Sequence, residues 1–155
     1  MDTYFTYQTA FQPLTIVCDE KSLRAIRFGR VLLPDAAEER TALSDEVYAQ
    51  LEAYFAGRRK SFDLPLAPQG TSFQREVWTA LLQIPYGEVR TYADIARAVN
   101  RPKGFQAVGG ANHKNPIPIV IPCHRVIGSD GSLTGYAWGL ERKQQLLDLE
   151  KRYAR

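Results

Sequence analysis

The chain has 155 residues, which suits one compact domain or two small ones. Hydrophobic residues make up 45% and charged residues 24%, as in folded proteins, so disorder is excluded as the overall state. There are only two cysteines and two histidines, so at most one disulfide could form. A tetrahedral zinc site built from Cys and His would need all four of these residues, and their spacings are not those of zinc motifs. We therefore predict free thiols and no metal.

The distribution of charge and hydropathy indicates the compartment and a class of partner. The amino terminus lacks a basic stretch followed by an apolar core, and no apolar run approaches the roughly 18 residues of a membrane helix, so we expect a cytoplasmic protein that contacts no membrane. Residues 1–67 carry 8 basic and 10 acidic side chains, whereas residues 68–155 carry 12 basic and 7 acidic ones. The positive second half favours a surface that faces a polyanion, although an ordinary solvated face would have the same composition.

Residues 1–67 are predicted to form a small N-terminal domain with an antiparallel sheet and one helix. β-branched and aromatic residues predict strands at 4–7, 14–17 and 23–28, separated by turn residues. Apolar residues at every fourth position from Leu43 to Phe55 predict a helix that ends at Gly57. Residues 63–70 contain two prolines and a glycine without periodicity, which is typical of a linker.

Residues 68–155 are predicted to form a mainly helical C-terminal domain, which makes the fold class α+β. Thr71 and Gln74 match a capping box at the start of one helix, and Thr91 and Asp94 cap a second, shorter one. A tight connection then leads into a helix over 105–112 that is rich in alanine and glycine. The short helix, turn and small-residue helix resemble a helix-turn-helix of the kind used on DNA, although other α-hairpins share this pattern.

The most distinctive chemistry lies around Cys123. The apolar run 117–121 predicts a buried strand, and the proline that follows it would hold Cys123 at the strand end on a stiff backbone. A histidine and an arginine follow directly, and such neighbours favour the thiolate. Because adjacent side chains of an extended segment point to opposite faces, contact between Cys123 and His124 would need a water or a turn. Cys18, within a strand pattern, is predicted to be a plain buried thiol.

The residues around Cys123 resemble the signature of the O6-alkylguanine-DNA alkyltransferases, also called methylated-DNA–protein-cysteine methyltransferases. The resemblance covers about Thr71 to Glu150, and its centre, Pro-Cys-His-Arg-Val at 122–126, is highly specific. Flanking matches occur at Asn115, Pro116, 85–89, Thr91, Tyr92, 107–111, Gly135, Tyr136 and 140–143. The resemblance implies DNA repair by direct reversal, in which one protein takes one methyl or alkyl group from O6-alkylguanine, with O4-alkylthymine as an open alternative.

The resemblance also implies roles for individual residues. Cys123 would be the alkyl acceptor, His124 would remove the thiol proton through a water, and Glu150 would orient the histidine. Asn115 would rigidify the turn before the cysteine, and Tyr92 would assist binding and departure of the base. The residues expected to contact substrate or DNA are Phe105, Gln106, Ala107, Gly109, Arg125, Tyr136, Ala137 and Trp138.

The expected partner is double-stranded DNA that contains O6-alkylguanine. The family inserts its small-residue helix into the minor groove and flips the damaged nucleotide out of the stack, at a cost of roughly a few kcal/mol. The resemblance implies no cofactor, and we expect a monomer.

Two positions depart from the common family pattern. Gln106 stands where an arginine usually fills the gap left by the flipped base, and it lacks the charge and the planar guanidinium, so we expect weaker flipping or lower affinity. Phe105 could act there as an apolar wedge instead. Trp138 stands where many relatives have glycine, and its indole should narrow the pocket against benzyl-sized adducts.

Two other functions fit part of the sequence. A related non-enzymatic protein binds alkylguanine and recruits other repair factors, but in such proteins the nucleophilic cysteine is typically replaced. A cysteine hydrolase could use Cys123 and His124, although such enzymes usually place nucleophile and base far apart in sequence. Intact-mass analysis after incubation with methylated DNA would distinguish the three functions. A permanent methyl group on Cys123 indicates the alkyltransferase, binding without a mass change indicates the non-enzymatic binder, and repeated turnover indicates the hydrolase.

Overall fold

The computed structural model describes residues 1–154, and these form an α+β fold, as predicted. The chain divides into two compact units, residues 1–69 and the residues from Gly70 onward. Arg155, the last residue of the predicted C-terminal domain, lies outside the described residues. Over residues 1–154, no helix is long and apolar enough to cross a membrane.

The first unit is a four-stranded sheet covered by a helix, with strand order β3-β2-β1-β4. Every residue of the central strand β2 is buried, because both faces of the sheet are covered. Helix α1 packs on one face, and a buried cluster that includes Leu33 and Ala36 of the following loop forms on the sheet around Val17. The elements are β1 (Thr3–Tyr7), β2 (Leu14–Cys18), β3 (Leu23–Phe28), β4 (Ala37–Glu38) and α1 (Ala42–Phe55).

The antiparallel sheet predicted from the first three strands is confirmed, and a short fourth strand extends it at one edge. β1, β2 and β3 are antiparallel neighbours, but β4 pairs parallel with β1, with Thr3 opposite Ala37. The chain leaves β3 at one edge of the sheet and reaches β4 at the other edge. Because β3 and β4 run in the same direction, they need such a crossing connection rather than a hairpin. The partly buried Leu33 and Ala36 pack this connection against the sheet, a long-range contact that strand periodicity alone does not contain.

Residues 63–70 have no regular structure, but they are attached to the first unit. The Leu23 amide donates to the Pro65 carbonyl (2.8 Å), and the Ala67 amide donates to the Leu23 carbonyl (2.9 Å). The Gln50 side chain also accepts from the Asp63 amide at 2.9 Å. Residues 63–67 of the expected linker are therefore hydrogen-bonded to the start of β3 and to α1.

The second unit packs helices around a short parallel strand pair. Helix α4 lies against both α2 and α3, and Trp78 of α2 donates from Nε1 to the Ala111 carbonyl of α4 at 2.9 Å. The two predicted capping boxes are both present, at Thr71 and Thr91. The elements are α2 (Ser72–Leu81), β5 (Arg90–Thr91), α3 (Tyr92–Ala98), α4 (Phe105–His113), a 3₁₀ turn (Cys123–Arg125), β6 (Val126–Ile127) and α5 (Leu140–Tyr153).

The cap at Thr91 yields a stability prediction. Its hydroxyl accepts from the Asp94 amide at 3.1 Å, so Thr91→Ala leaves that amide without its partner. We expect the free energy of unfolding to fall by about 1 kcal/mol in urea titrations. Thr79→Ala, at an exposed position inside α2, is the matched control and should change it by less than about 0.5 kcal/mol. An equal loss in both variants would contradict the capping role.

Candidate active site

The segment before Cys123 is a series of turns, so the predicted buried strand was wrong. Pro116 and Pro118 have no amide hydrogen for a strand ladder, and Ile119 adopts a left-handed backbone with φ 74°. The Ile121 amide donates back to the Ile117 carbonyl at 2.9 Å. Cys123 therefore begins a 3₁₀ turn, and the opposite-face geometry of an extended chain does not apply to it.

Asn115 braces these turns from inside. Its Nδ2 donates to the Ile121 carbonyl (2.8 Å), and its Oδ1 accepts from the Ile117 amide (2.9 Å). The side chain is buried. One amide side chain thus holds together both ends of the turn that precedes Cys123.

The Cys123 thiol is buried, with 1% of the residue exposed. Burial raises the pKa of Cys123 to about 12, although the hydrogen bond from Asn115 and the charge of Lys143 act in the opposite direction. The thiol is therefore neutral in this structure, and nucleophilic attack would require a base and better access to the sulfur.

A buried base lies next to the cysteine in sequence. His124 is fully buried, and its Nε2 lies 2.7 Å from Glu150 Oε2. Burial lowers the pKa of His124, against the opposing effect of Glu150, so the ring is neutral at neutral pH. An ionised carboxylate can only accept, so Nε2 carries the hydrogen and Nδ1 keeps a lone pair. Among the described residues, Nδ1 has no hydrogen-bond partner.

The side chains of His124 and Arg125 hold Glu150 as a carboxylate. Burial alone would raise its pKa, but hydrogen bonds from His124 and Arg125 hold the pKa of Glu150 well below its usual range. Arg125 donates from Nε to Oε1 (2.8 Å) and from Nη2 to Oε2 (2.9 Å). This bidentate geometry is the strong form of an arginine–carboxylate pair.

Arg125, which the sequence analysis expects to contact substrate or DNA, is buried in this structure. The residue is only 6% exposed, and its Nη1 donates to the Ile84 carbonyl at 2.7 Å. Its guanidinium also lies 5.7 Å from the centre of the Tyr86 ring. Arg125 is therefore part of the support of Glu150, and its charge was a poor guide because charged residues are buried when they are paired.

The expected DNA-facing residues on α3 and α4 meet in an open groove of about 430 Å³. Gly109 lies beneath the Tyr92 ring, where an added Cβ would be 3.9 Å from two ring carbons. Phe105 is 52% exposed at the start of α4, beside Gln106. Ala107 is exposed on the same helix but does not line the groove. The groove is lined by Tyr92, Phe105, Gln106, Gly109, Gly110, His113, Thr134 and Gly135.

The remaining expected substrate contacts lie in the loop before α5. Tyr136 is buried, and Trp138 packs edge-on against it with ring centres 5.3 Å apart. Ala137, between them, is exposed. Trp138 is only half-buried and does not line the groove, so whether it limits adduct size stays a prediction.

Sequence reasoning missed two residues near the cysteine. Asn112 of α4 donates from Nδ2 to the Cys123 carbonyl at 3.3 Å. Lys143 is fully buried, and its Nζ donates to the Val126 carbonyl at 2.5 Å. The spacing of the sequence contains a signal for Lys143, because Lys143, Leu146 and Glu150 lie three and four residues apart and form the buried face of α5.

No group of three or more His, Cys, Asp or Glu side chains able to hold a metal occurs between residues 1 and 154.

The fold and this thiol site define a class of cysteine-bearing alkyltransferases. Residues 3–68 match the family model described as the ribonuclease-like domain of 6-O-methylguanine DNA methyltransferase, and residues 72–152 match its DNA binding domain. The chain belongs to the 6-O-methylguanine DNA methyltransferase family.

Relatives agree over nearly the whole chain. The methylated-DNA–protein-cysteine methyltransferase of Methanosarcina acetivorans is 49% identical over 151 residues, which cover 95% of this chain and 97% of the relative. The crystal structure of Mycobacterium tuberculosis O6-methylguanine methyltransferase is 45% identical with a TM-score of 0.90, covering 100% of this chain and 96% of that one. A structure of the M. tuberculosis protein in complex with DNA also has a TM-score of 0.90, at 43% identity, with coverage of 97% and 94%.

The buried ion pair makes a testable contribution to stability. Glu150→Gln would leave the Arg125 charge without its partner, so we expect the free energy of unfolding at pH 7 to fall by about 3–5 kcal/mol. Because the pKa of Glu150 is lower in the folded than in the unfolded chain, its contribution is complete at neutral pH and is lost as pH falls below the ordinary carboxyl pKa of about 4.3.

The measurement is urea unfolding of both proteins from pH 7 to about pH 3, where the difference between wild type and Glu150→Gln should narrow. Glu141→Gln, an exposed position on the same helix, is the matched control and should follow the wild type at each pH. A difference that stays constant over this range would contradict a stabilising role for the ionised carboxylate.

Proposed function

We propose that this protein repairs DNA by direct reversal, moving the methyl or alkyl group of O6-alkylguanine to the Cys123 sulfur. The observation that carries the proposal is the burial of Cys123 next to His124, whose Nε2 is bonded to Glu150 Oε2. The chain's membership of this family supports the same conclusion. The DNA complex of the similar M. tuberculosis protein supports DNA as the partner. O4-alkylthymine remains a secondary substrate to be tested.

The proposed transfer is a single displacement at the alkyl carbon. His124 Nδ1, whose lone pair is free because Nε2–H is bonded to Glu150, accepts the thiol proton through a water. The sulfur then forms a bond to the alkyl carbon as the carbon–O6 bond breaks, and the electron pair leaves with guanine. Proton donation from the Tyr92 hydroxyl would neutralise the departing base.

Glu150 stabilises the imidazolium that forms, as the third group of a nucleophile–base–orienter relay. The product is a thioether on Cys123, which is not a leaving group under cellular conditions. Each molecule therefore repairs one lesion and is then spent, without a cofactor.

The approach to DNA is proposed from the groove beside α4. The alkylated O6 lies inside a stacked duplex, so the nucleotide must be flipped out to reach a buried sulfur. The small residues of α4 would let its backbone come close to the minor groove, with Gln106 and Phe105 at the gap left by the base. We propose that a monomer performs this reaction, in the cytoplasm.

The central prediction concerns which thiol receives the group. After incubation with duplex DNA that contains O6-methylguanine, intact-mass analysis should show one added methyl group, and peptide mapping should place it on Cys123. Cys123→Ala should bind the same DNA without a mass change. Cys18→Ala removes the other buried thiol and is the matched control, which should be methylated like the wild type. Repeated turnover, or a methyl group elsewhere, would refute the proposal.

Gln106 provides a second prediction. Gln106→Arg restores a charged, planar side chain at the exposed edge of the groove, where it can pair with phosphates or with the unpaired base. We expect higher affinity for duplex DNA and faster methyl transfer, measured by fluorescence anisotropy and by single-turnover quenching. Gln83→Arg, in the exposed turn after α2 and outside this groove, adds the same charge and is the control. Unchanged affinity and rate in Gln106→Arg would show that the position is indifferent in this protein.

A further inference from the structure

A three-residue wall, Thr134 to Tyr136, connects the groove to the thiol. Thr134 and Gly135 line the groove, whereas Tyr136 is buried. Burial raises the pKa of Tyr136 well above its usual value, and the neighbouring Cys123 acts in the same direction. The three residues therefore run from the groove to the surroundings of Cys123.

One backbone carbonyl of the wall is held by two side chains from different helices. The Thr134 carbonyl accepts from the Tyr92 hydroxyl at 3.0 Å and from Lys143 Nζ at 2.8 Å. Tyr92 is the first residue of α3, and Lys143 lies in the first turn of α5. A carbonyl oxygen has two lone pairs, so both bonds can form together.

The two donors differ in what can reach them. Lys143 is fully buried, and its Nζ is also bonded to the Val126 carbonyl, so nothing in the groove can compete for it. The Tyr92 ring lines the groove, where a ligand can approach its hydroxyl. Gly135 permits this contact, because it has φ 65° and a Cβ there would lie 3.0 Å from the Tyr92 hydroxyl oxygen.

We propose that Lys143 and Tyr92 hold the wall closed over Cys123, Lys143 permanently and Tyr92 releasably, and that a base entering the groove opens the wall by taking the Tyr92 hydrogen bond. This inference rests on the proposed function, in which Tyr92 donates to the base. A phenol has one hydrogen, so Tyr92 cannot donate to the base and to Thr134 at once.

The consequence is that access to the sulfur depends on occupation of the groove. With Cys123 only 1% exposed, the thiol is protected from small electrophiles while the wall is closed. Lys143 keeps the wall attached when Tyr92 turns away, so that the wall can return once the base has left. Lys143 thus acts as a positioning residue through the Thr134 carbonyl and does not touch the substrate.

The test is the rate at which iodoacetamide labels Cys123 in the full-length protein without DNA, followed by peptide mass spectrometry. Tyr92→Phe keeps the ring and removes only the hydroxyl. We expect labelling to rise about threefold to tenfold, as the loss of one ordinary hydrogen bond would give. Because the Lys143 bond remains, the rate should stay at least about tenfold below that of the urea-unfolded protein.

Ser132→Ala is the matched control, because it removes the hydrogen bond from the Ser132 hydroxyl to Asp130 in the same loop but leaves the Thr134 carbonyl untouched. Its labelling rate should equal that of the wild type. Methyl transfer from DNA is measured in parallel, and Tyr92→Phe should be slower there although it labels faster. Faster labelling together with slower methyl transfer in Tyr92→Phe distinguishes release of the wall from a general loosening of the loop.

Three results would overturn the inference. The labelling rate of Tyr92→Phe could equal that of the wild type, or Ser132→Ala could show the same increase as Tyr92→Phe. Tyr92→Phe could also be labelled at the rate of the unfolded protein, which would mean that Lys143 does not hold the wall. Failure of the proposed function would be seen separately, as wild-type protein that acquires no methyl group from DNA while the labelling rates still differ.

Discussion

The carboxylate of Glu150 is the interaction on which the second unit depends. It joins α5 to the 3₁₀ turn through His124 and Arg125, and its Oε1 also accepts from the Gly87 amide at 3.2 Å. A buried carboxylate is stable only when such donors replace the water it has lost. The same bonds decide which imidazole nitrogen of His124 carries the hydrogen, so the stability of the unit and the proposed proton relay share one set of contacts.

The backbone before Cys123 positions the sulfur independently of the Glu150 contacts. Proline residues remove amide donors, and the turns they leave are closed by the two hydrogen bonds of Asn115. Ile119 accepts an unfavourable left-handed backbone because its side chain is fully buried. A nucleophile on such a supported turn moves little, which suits a reaction that needs close alignment of sulfur, alkyl carbon and leaving oxygen.

Helix α4 connects the groove to the chemistry. Its outer face supplies Phe105 and Gln106 to the groove, while its inner face is bonded to Trp78 through the Ala111 carbonyl and to the Cys123 carbonyl through Asn112. A ligand in the groove therefore contacts an element that is already attached to the cysteine. Lys143 and the wall complete this arrangement from the side of α5.

Local patterns in the sequence determined much of this protein: the α+β class, the caps at Thr71 and Thr91, and the motif that identifies the family. These features depend on neighbouring residues, whose spacing is visible in the chain. Only the tertiary structure decided that the run before Cys123 is a set of turns, that Arg125 is buried on Glu150, and that Lys143 is bonded to the loop carbonyls. The physical reason is that a charge or an amide hydrogen can satisfy its bonding with any partner that the fold brings near, and such long-range partners leave no period in the sequence.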